Sequence, residues 1–582
     1  MIKSIVCICT FLLVVVCIRE STSSAERTGN AVPSPPNIVG MADYRGNLLV
    51  MPDTSWHVYS VVEIQGVAHV TVKRSFDNGV AWSETEDLVE VKGSGWGGAV
   101  ALLDRDDEVH LFILKWRGKD GRKPAVDRFI DIWHMRSYEG RSRWLKPQCI
   151  FKGYCGSIQG AAQLRSGRII LPFAKWVADR DCAPPTGCNV TTAVYSDDGG
   201  ENWIQSESEL TAPCYTNFNG NNYGAVEPAI LELADGRVWM LVRTQTGYLY
   251  ESYSCDGDLW EPLEPSRFHS STSPAFMVRT ENDNIVLFWN NCEMPPRVDG
   301  NGVYGGRDVL CAALSVDEGK TWLGYREVYR DPARNETPPK RGDRGTAYPF
   351  AVAMKDGRIA LVSGQGEGKC RLIIVEPDWL LERSYSEDFT HGLEKWSVFK
   401  SFGPAEGWWR DRVQGPHMAE CAEFNGKRAL HLQKPDNRAG DCAVWNFPAA
   451  QTGVLTVQLK LENGFGGASI ILADRFFNPG DINGARKALF NLKIDNNGNI
   501  PGGGHITPGK IHTVTLSWNI VDRFCRIAVD GNDAALLPLL NDTVAGACYL
   551  RLSSTSDSID PLGWYAGPVD VHTGVDVLLN NE

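Results

Sequence analysis

The sequence predicts an all-β protein, a six-bladed β-propeller followed by a β-sandwich of jelly-roll type. Two internal repeats in one frame, and their abrupt end near residue 383, predict this architecture. Composition agrees, since 58 Gly and 19 Trp among 582 residues suit a turn-rich β chain better than a helical one.

The first repeat is a turn with the pattern S-x-D-x-G-x-x-W. It stands intact at Ser75 to Trp82, Ser196 to Trp203 and Ser315 to Trp322. Looser copies run from Ser137 to Trp144 and from Ser254 to Trp260. Its chemistry is local. The Asp carboxylate accepts backbone N–H groups and the Ser hydroxyl, the Gly supplies a positive φ, and the Trp packs beneath. The acidic residue is therefore architectural.

The second repeat is a pair of apolar strands around a tight turn. Copies are Ile38–Met51, Ala99–Leu114, Ala161–Phe173, Ala229–Val242, Ala275–Trp289 and Phe350–Val362. Near-continuous apolar strands predict sheets covered on both faces, as in stacked blades. Hairpins at this period predict a propeller over residues 26–383. From Asp388 the repeats stop. Alternating strands such as Leu455–Leu461, His512–Trp518 and Phe524–Asp530 predict a separate sandwich over 384–582.

Residues 1–25 read as a signal peptide. Lys3 is the positive end, Ile5–Ile18 the apolar stretch, and Ser23-Ser24-Ala25 the small-residue cleavage site. The expected location is secreted, periplasmic or extracellular. Of 16 cysteines, Cys7, Cys9 and Cys17 lie in this leader. Export makes disulfides plausible, and the close spacing of Cys182 and Cys188 predicts a loop staple. No cysteine stands near histidines at zinc spacing, so neither metal nor cofactor is expected. Asn189, Asn335 and Asn541 open glycosylation sequons. A net charge of -13 argues against nucleic acid or anionic lipid as partner, and no later segment predicts membrane insertion.

Aligning the turn glycines predicts which residues ring the propeller mouth. In each blade the start of the first strand and the end of the second share a rim, because the two are antiparallel. The fourth blade contributes Glu227 and Arg243, and the sixth Tyr348. The fifth contributes Ser273, Asn290 and Asn291, and the third Gln159, Lys175 and Trp176. The second contributes Lys115 and Trp116, and the first Asn37, Asp53 and Thr54. Polar groups where strands meet the axis suit a substrate pocket.

These motifs resemble the sialidases over roughly Asn37 to Leu381. The match is most specific from Glu227-Pro-Ala-Ile through Leu-Val-Arg243. The resemblance implies a glycan-cleaving propeller in which Tyr348 is the nucleophile and Glu227 takes its proton. It also implies that Arg243 and Arg307 grip a substrate carboxylate. A phenol is a poor nucleophile at neutral pH, so a touching carboxylate is chemically required. The family's Arg-Ile-Pro motif is replaced by Ser34-Pro-Pro-Asn37-Ile38. Asp53 and His57 are the candidate proton donors. Lys115, Gln159, Lys175 and Asn290 are candidate binding residues. The second part resembles laminin-G and concanavalin-like domains. The expected function is a secreted exo-glycosidase acting on terminal, acidic sugars. The alternatives are a non-catalytic glycan-binding propeller and a polysaccharide lyase or other hydrolase on the same scaffold.

Overall fold

The computed structural model describes residues 33–577, apart from 43–45, 119–127, 157, 181–185, 215–223, 293–305, 337–344, 366–369, 402–411, 414, 416, 421–427, 438–439 and 481. The expected leader lies outside the described residues.

The chain is all-β and propeller-like. After β1 (Asn37–Met41), strands β2 (Leu48–Val50), β3 (Trp56–Ile64), β4 (Val67–Ser75) and β5 (Glu86–Val91) form one antiparallel sheet. The next holds β6 (Trp96–Leu103), β7 (Val109–Gly118), β8 (Arg128–Tyr138), β9 (Arg143–Trp144) and β10 (Gln148–Phe151). Two further sheets follow. One contains β11 (Ala162–Gln163), β12 (Ile169–Arg180), β13 (Thr186–Ser196) and β14 (Ile204–Gln205). The other contains β15 (Val226–Glu232), β16 (Val238–Arg243), β17 (Tyr248–Ser254) and β18 (Glu264–His269). Then β19 (Phe276–Arg279), β20 (Ile285–Trp289), β21 (Val309–Ser315) and β22 (Leu323–Arg330) pair in order. Last come β23 (Phe350–Ala353), β24 (Ile359–Ser363) and β25 (Arg371–Val375).

Strand β7 shows why these strands read as continuous apolar runs. Ile113 joins a cluster with Val70 and Val72 on one face, and Leu114 joins Phe173 and Val194 on the other. Both faces are buried by neighbouring sheets.

Five of the six expected hairpins form. The first, Ile38–Met51, does not. Strand β1 pairs with β25, with Asn37 opposite Ile374, while β2 pairs with β3. The N-terminal strand thereby covers the edge of the last sheet, which would otherwise present unpaired backbone.

The S-x-D-x-G-x-x-W turns have the expected bonding. In the first, Ser75 Oγ donates to Asp77 Oδ1 at 2.8 Å and accepts from Gly79 N at 2.9 Å. Asp77 Oδ1 accepts from Ala81 N, and Trp82 Nε1 donates to Gly79 O.

Beyond a short 3-10 turn at Pro377–Leu381 the second part begins. It comprises β26 (Ser384–Glu387), β27 (Trp396–Ser397), β28 (Lys400–Ser401), β29 (Arg412–Val413), β30 (His417–Glu420), β31 (Arg428–Lys434), β32 (Cys442–Ala450) and β33 (Thr452–Leu461). It continues with β34 (Ala468–Ala473), β35 (Phe490–Ile494), β36 (Ile511–Asn519), β37 (Phe524–Val529), β38 (Asn532–Pro538), β39 (Ala547–Ser554) and β40 (Asp560–Thr573). One sheet runs β30-β31-β40-β33-β36-β37-β38 and the other β32-β39-β34-β35. They share one apolar core that includes Trp445, Trp518 and Trp564, each fully buried.

The two parts are sewn together. Gly324 in β22 pairs with Ala449 in β32. Buried Asn446 accepts from Glu327 N and donates to Tyr325 O. Arg334 donates to the carbonyls of Asp331, Leu393, Glu394 and Trp396.

One loop expectation changes. Cys188 is bonded to Cys214 rather than to Cys182, which lies outside the described residues. An antiparallel bridge between Thr191 and Leu210 brings the Cys214 segment alongside β13. The sequon asparagines are occupied within the fold. Asn189 is buried in β13, Asn335 donates to Trp396 O, and Asn541 donates to Arg486 O and Ala488 O.

Candidate active site

The site begins with a backbone irregularity. Glu227 and Tyr348 each precede a turn glycine, Gly236 and Gly357, by nine residues. Both adopt a left-handed backbone, with φ of 50° and 64°. The ladder between β15 and β16 slips between Val226 and Ala229, so Glu227 occupies a bulge. Gly98 holds the matching place before the Asp107 turn, with φ of 63°, at a slip between Gly97 and Ala99. A bulge re-aims its side chain away from the regular pleat. Glycine does this without strain, whereas Glu and Tyr do not.

The result is a compact polar triad. Tyr348 Oη donates to Glu227 Oε1 at 3.1 Å. Arg243 Nη1 donates to Glu227 Oε2 at 2.6 Å and to Tyr348 Oη at 3.3 Å. Glu227 is 8% exposed and Arg243 is 5% exposed, so their attraction acts largely out of water. The carboxylate is placed to accept the phenol proton. The guanidinium is placed to stabilise negative charge on the phenol oxygen.

Arg307 joins from the segment before β21. Its guanidinium carbon lies 5.6 Å from the Tyr348 ring centre. Gln365 Oε1 and Thr272 O accept from it at 2.9 and 2.6 Å. Asn290 supports this segment from behind, donating to Val309 O and to Thr346 Oγ1. Thr346 N in turn donates to Arg307 O. Gln159, 1% exposed, donates to Pro349 O beside Tyr348. Buried Cys155 lies close enough for the Glu227 charge to act on it. Burial and that charge hold the thiol well above its usual range, which makes it inert.

Gln365 is the residue that sequence reasoning missed. It lies eight positions after Gly357, one step beyond the place that Arg243 holds after Gly236. The same alignment, extended by one residue, points to it.

Other expected members lie elsewhere. Asp53 and His57 belong to the opposite rim. The register expectation assumed that β2 was the second strand of its hairpin, but it is the first. Trp56 stands opposite Ser75, the start of the Asp-containing turn, just as Val238 stands opposite Ser254. Arg243 closes the other end of β16. Lys355, in the turn before Gly357, donates to Pro52 O and confirms the shared rim. There Asp53 Oδ1 accepts from Ser55 Oγ, which contacts His57 Nε2, and His57 Nδ1 contacts Tyr59 Oη. The Ser55 hydroxyl holds the Asp53 carboxyl below its usual range, and burial lowers His57 to about 4.

Lys115 is held against two indole rings. Its ammonium sits 4.2 Å from the Trp96 ring centre and 5.0 Å from that of Trp133, which makes a cation–π box. Lys175 is paired with Glu209.

A propeller-like fold built on these turns, with half-buried Tyr348 against buried Glu227 and Arg243, is a repeat protein of a recognisable class. A family model described as a BNR repeat-like domain matches residues 62–361. That is more than half of the chain, and the chain belongs to this family. No curated protein matches it. Among solved structures it is similar to a Trypanosoma rangeli sialidase in complex with 2,3-difluorosialic acid. Identity is 14%, the TM-score 0.37, and coverage 93% of this chain and 92% of that one. It is also similar to a Dyadobacter fermentans protein of unknown function, at 15% identity, TM-score 0.41, and coverage of 59% and 99%. A variant of the NanB sialidase from Streptococcus pneumoniae is similar at 12% identity, TM-score 0.39, and coverage of 59% and 71%.

Proposed function

We propose that this chain is an exported, sialidase-like exo-glycosidase that hydrolyses terminal acidic sugars from glycans. The observation that carries the reading is the Tyr348–Glu227 hydrogen bond at 3.1 Å, with Arg243 touching both groups. Tyr348 Oη attacks the anomeric carbon while its proton passes to Glu227. The glycosidic oxygen leaves with a proton taken from solvent water, since Asp53 and His57 occupy the far rim. Water then displaces tyrosine from the sugar, and two inversions give net retention. A neutral phenol approaches an anionic sugar without the repulsion that a carboxylate nucleophile meets. Arg243 and Arg307 supply the carboxylate grip through forked N–H groups.

The finer architecture belongs to the same reading. We count β19–β22 as a blade that continues into the second part through Gly324, which makes six with the five separate sheets of four or five strands. The second part is read as a sandwich of laminin-G or concanavalin kind, supported by its two sheets around one core. Export rests on the leader sequence.

The test is turnover of a fluorogenic sialoside, uronide and sulfated glycoside. Tyr348→Phe lowers kcat by about 10⁴-fold or more while leaving ligand affinity near wild type. Glu227→Gln lowers it by about 10²–10⁴-fold. Arg243→Ala weakens binding of acidic sugars and leaves neutral ones unchanged. Strong residual turnover in Tyr348→Phe removes the nucleophile from the scheme. Wild-type binding without turnover makes the chain a lectin, and unsaturated products make it a lyase.

A further inference from the structure

The outward face of the β32-β39-β34-β35 sheet has two unlike halves. Side chains alternate along each strand. Ala468, Ile470 and Leu472 point into the core, so Ser469 and Ile471 point outward. Register aligns the outward residues into rows across the strands. One row is Ser553, Ser469 and Lys493, and the next is Arg551, Ile471 and Asn491. The row after that includes Tyr549 and Ala473, which pack with the propeller's Cys311 and Trp289. Part of the face is therefore an interface. The remainder is an uncovered groove of about 810 Å³.

That groove sets a few oriented polar groups in a largely aliphatic lining. Ser469, 3% exposed, donates its hydroxyl to Asn491 Oδ1 at 2.7 Å, which turns the Asn491 amide N–H groups outward as donors. Lys493 is exposed and enters no ion pair among the described residues, while Arg551 adds fixed positive charge while bonded to Asn478 O and Pro479 O. The acid at the edge, Asp495, is tied into its own turn by Asn497 N, Asn499 N and Asn499 Nδ2. Among the described lining residues the available charge is thus cationic, on a chain whose net charge is -13. Flat hydroxyl and amide donors between aliphatic patches match a ring that is polar at its edges and apolar on its faces. The volume admits several such rings.

We propose that this groove is a second carbohydrate site, and that it takes an acidic oligosaccharide. It lies wholly in the second part and needs no Tyr348 chemistry. It holds a chain of sugars independently of the propeller mouth.

The experiment is calorimetric titration of the full chain carrying Arg243→Ala, so that the mouth contributes little. The probes are an oligogalacturonate tetrasaccharide, maltotetraose as the neutral control, and an acidic peptide of equal charge. The tetrasaccharide is expected to bind at least about tenfold more tightly than maltotetraose or the peptide. Lys493→Ala and Asn491→Ala each raise Kd by about tenfold. Ser553→Trp, which fills the groove, abolishes binding, with unchanged unfolding temperature as its control. Lys493→Ala changes an exposed side chain and keeps the test valid should the Trp variant misfold. Absence of tetrasaccharide binding, indifference to the groove variants, or equal binding of the peptide overturns the proposal. Absence of sialoside turnover by the unaltered chain, with an intact groove titration, sinks the glycosidase reading alone.

Discussion

At the scale of single residues, the strained pair Glu227 and Tyr348 is the informative feature. A left-handed backbone is rare for such side chains and persists where the surroundings over-determine it. The matching Gly98 shows that the bulge itself asks for glycine. Glu227→Gly is therefore expected to unfold at higher denaturant than Glu227→Ala, by about 1 kcal/mol, although neither turns over substrate. Equal stability of the two would mean that the bulge relaxes when the side chain is lost. A second residue-scale device lies within the blades. Trp203 Nε1 donates to His134 Nδ1 at 3.3 Å, His134 Nε2 meets His110 Nδ1 at 3.0 Å, and His110 Nε2 meets Asp104 Oδ2 at 3.0 Å. Burial keeps His134 well below its usual range.

At the scale of elements, the Asp-containing turns behave as the sequence implies. Their carboxylates are spent on backbone N–H groups, far from the triad. In the turn at Ser196, the buried serine hydroxyl accepts from Gly200 N at 2.8 Å and donates to Asp198. Ser196→Ala leaves a buried N–H without its acceptor and is expected to cost about 1–3 kcal/mol, read from the urea midpoint, with kcat unchanged. A fall in kcat at full folding would give the turn a catalytic part. The element that sequence pattern misplaced is β1. Its apolar run followed by Arg45-Gly46 looks like half of a hairpin, yet its partner is β25, more than 300 residues away. A local pattern records how a strand is built, not which edge needs covering.

At the scale of the whole molecule, burial of titratable rings sets the response to pH. His57 is lowered to about 4 and His269 to about 3, in both cases by burial first. The unfolded chain takes up protons near pH 6.5, which the folded chain refuses until those lower values. Between them the unfolded state holds more protons, so stability falls as pH drops from about 6.5 toward about 4. The urea midpoint is expected to be lower at pH 5 than at pH 7, with the m-value unchanged. A midpoint that rises on acidification would contradict the burial of these rings. The same scale explains the seam between the two parts. Buried Arg326 donates to Trp379 O and to Glu382, and its guanidinium stacks 3.3 Å from the Trp379 ring centre. The connecting segment is thereby fixed to the propeller.

The sequence by itself determined the all-β class, five hairpins, the turn chemistry and the gathering of Glu227, Arg243, Arg307 and Tyr348. All but Arg307, which only the family resemblance pointed to, follow from period-two patterning and a turn residue with a fixed φ, which are local and repeat at a constant phase. Only the tertiary structure decided that Asp53 and His57 face the far rim, that Lys115 and Lys175 are held by Trp96 and Glu209, and that Cys188 joins Cys214. Those outcomes depend on which strand fills an edge and which loop lies against it. Such choices are set by closure of the ring and by packing between segments distant in sequence, for which no residue pattern is written locally.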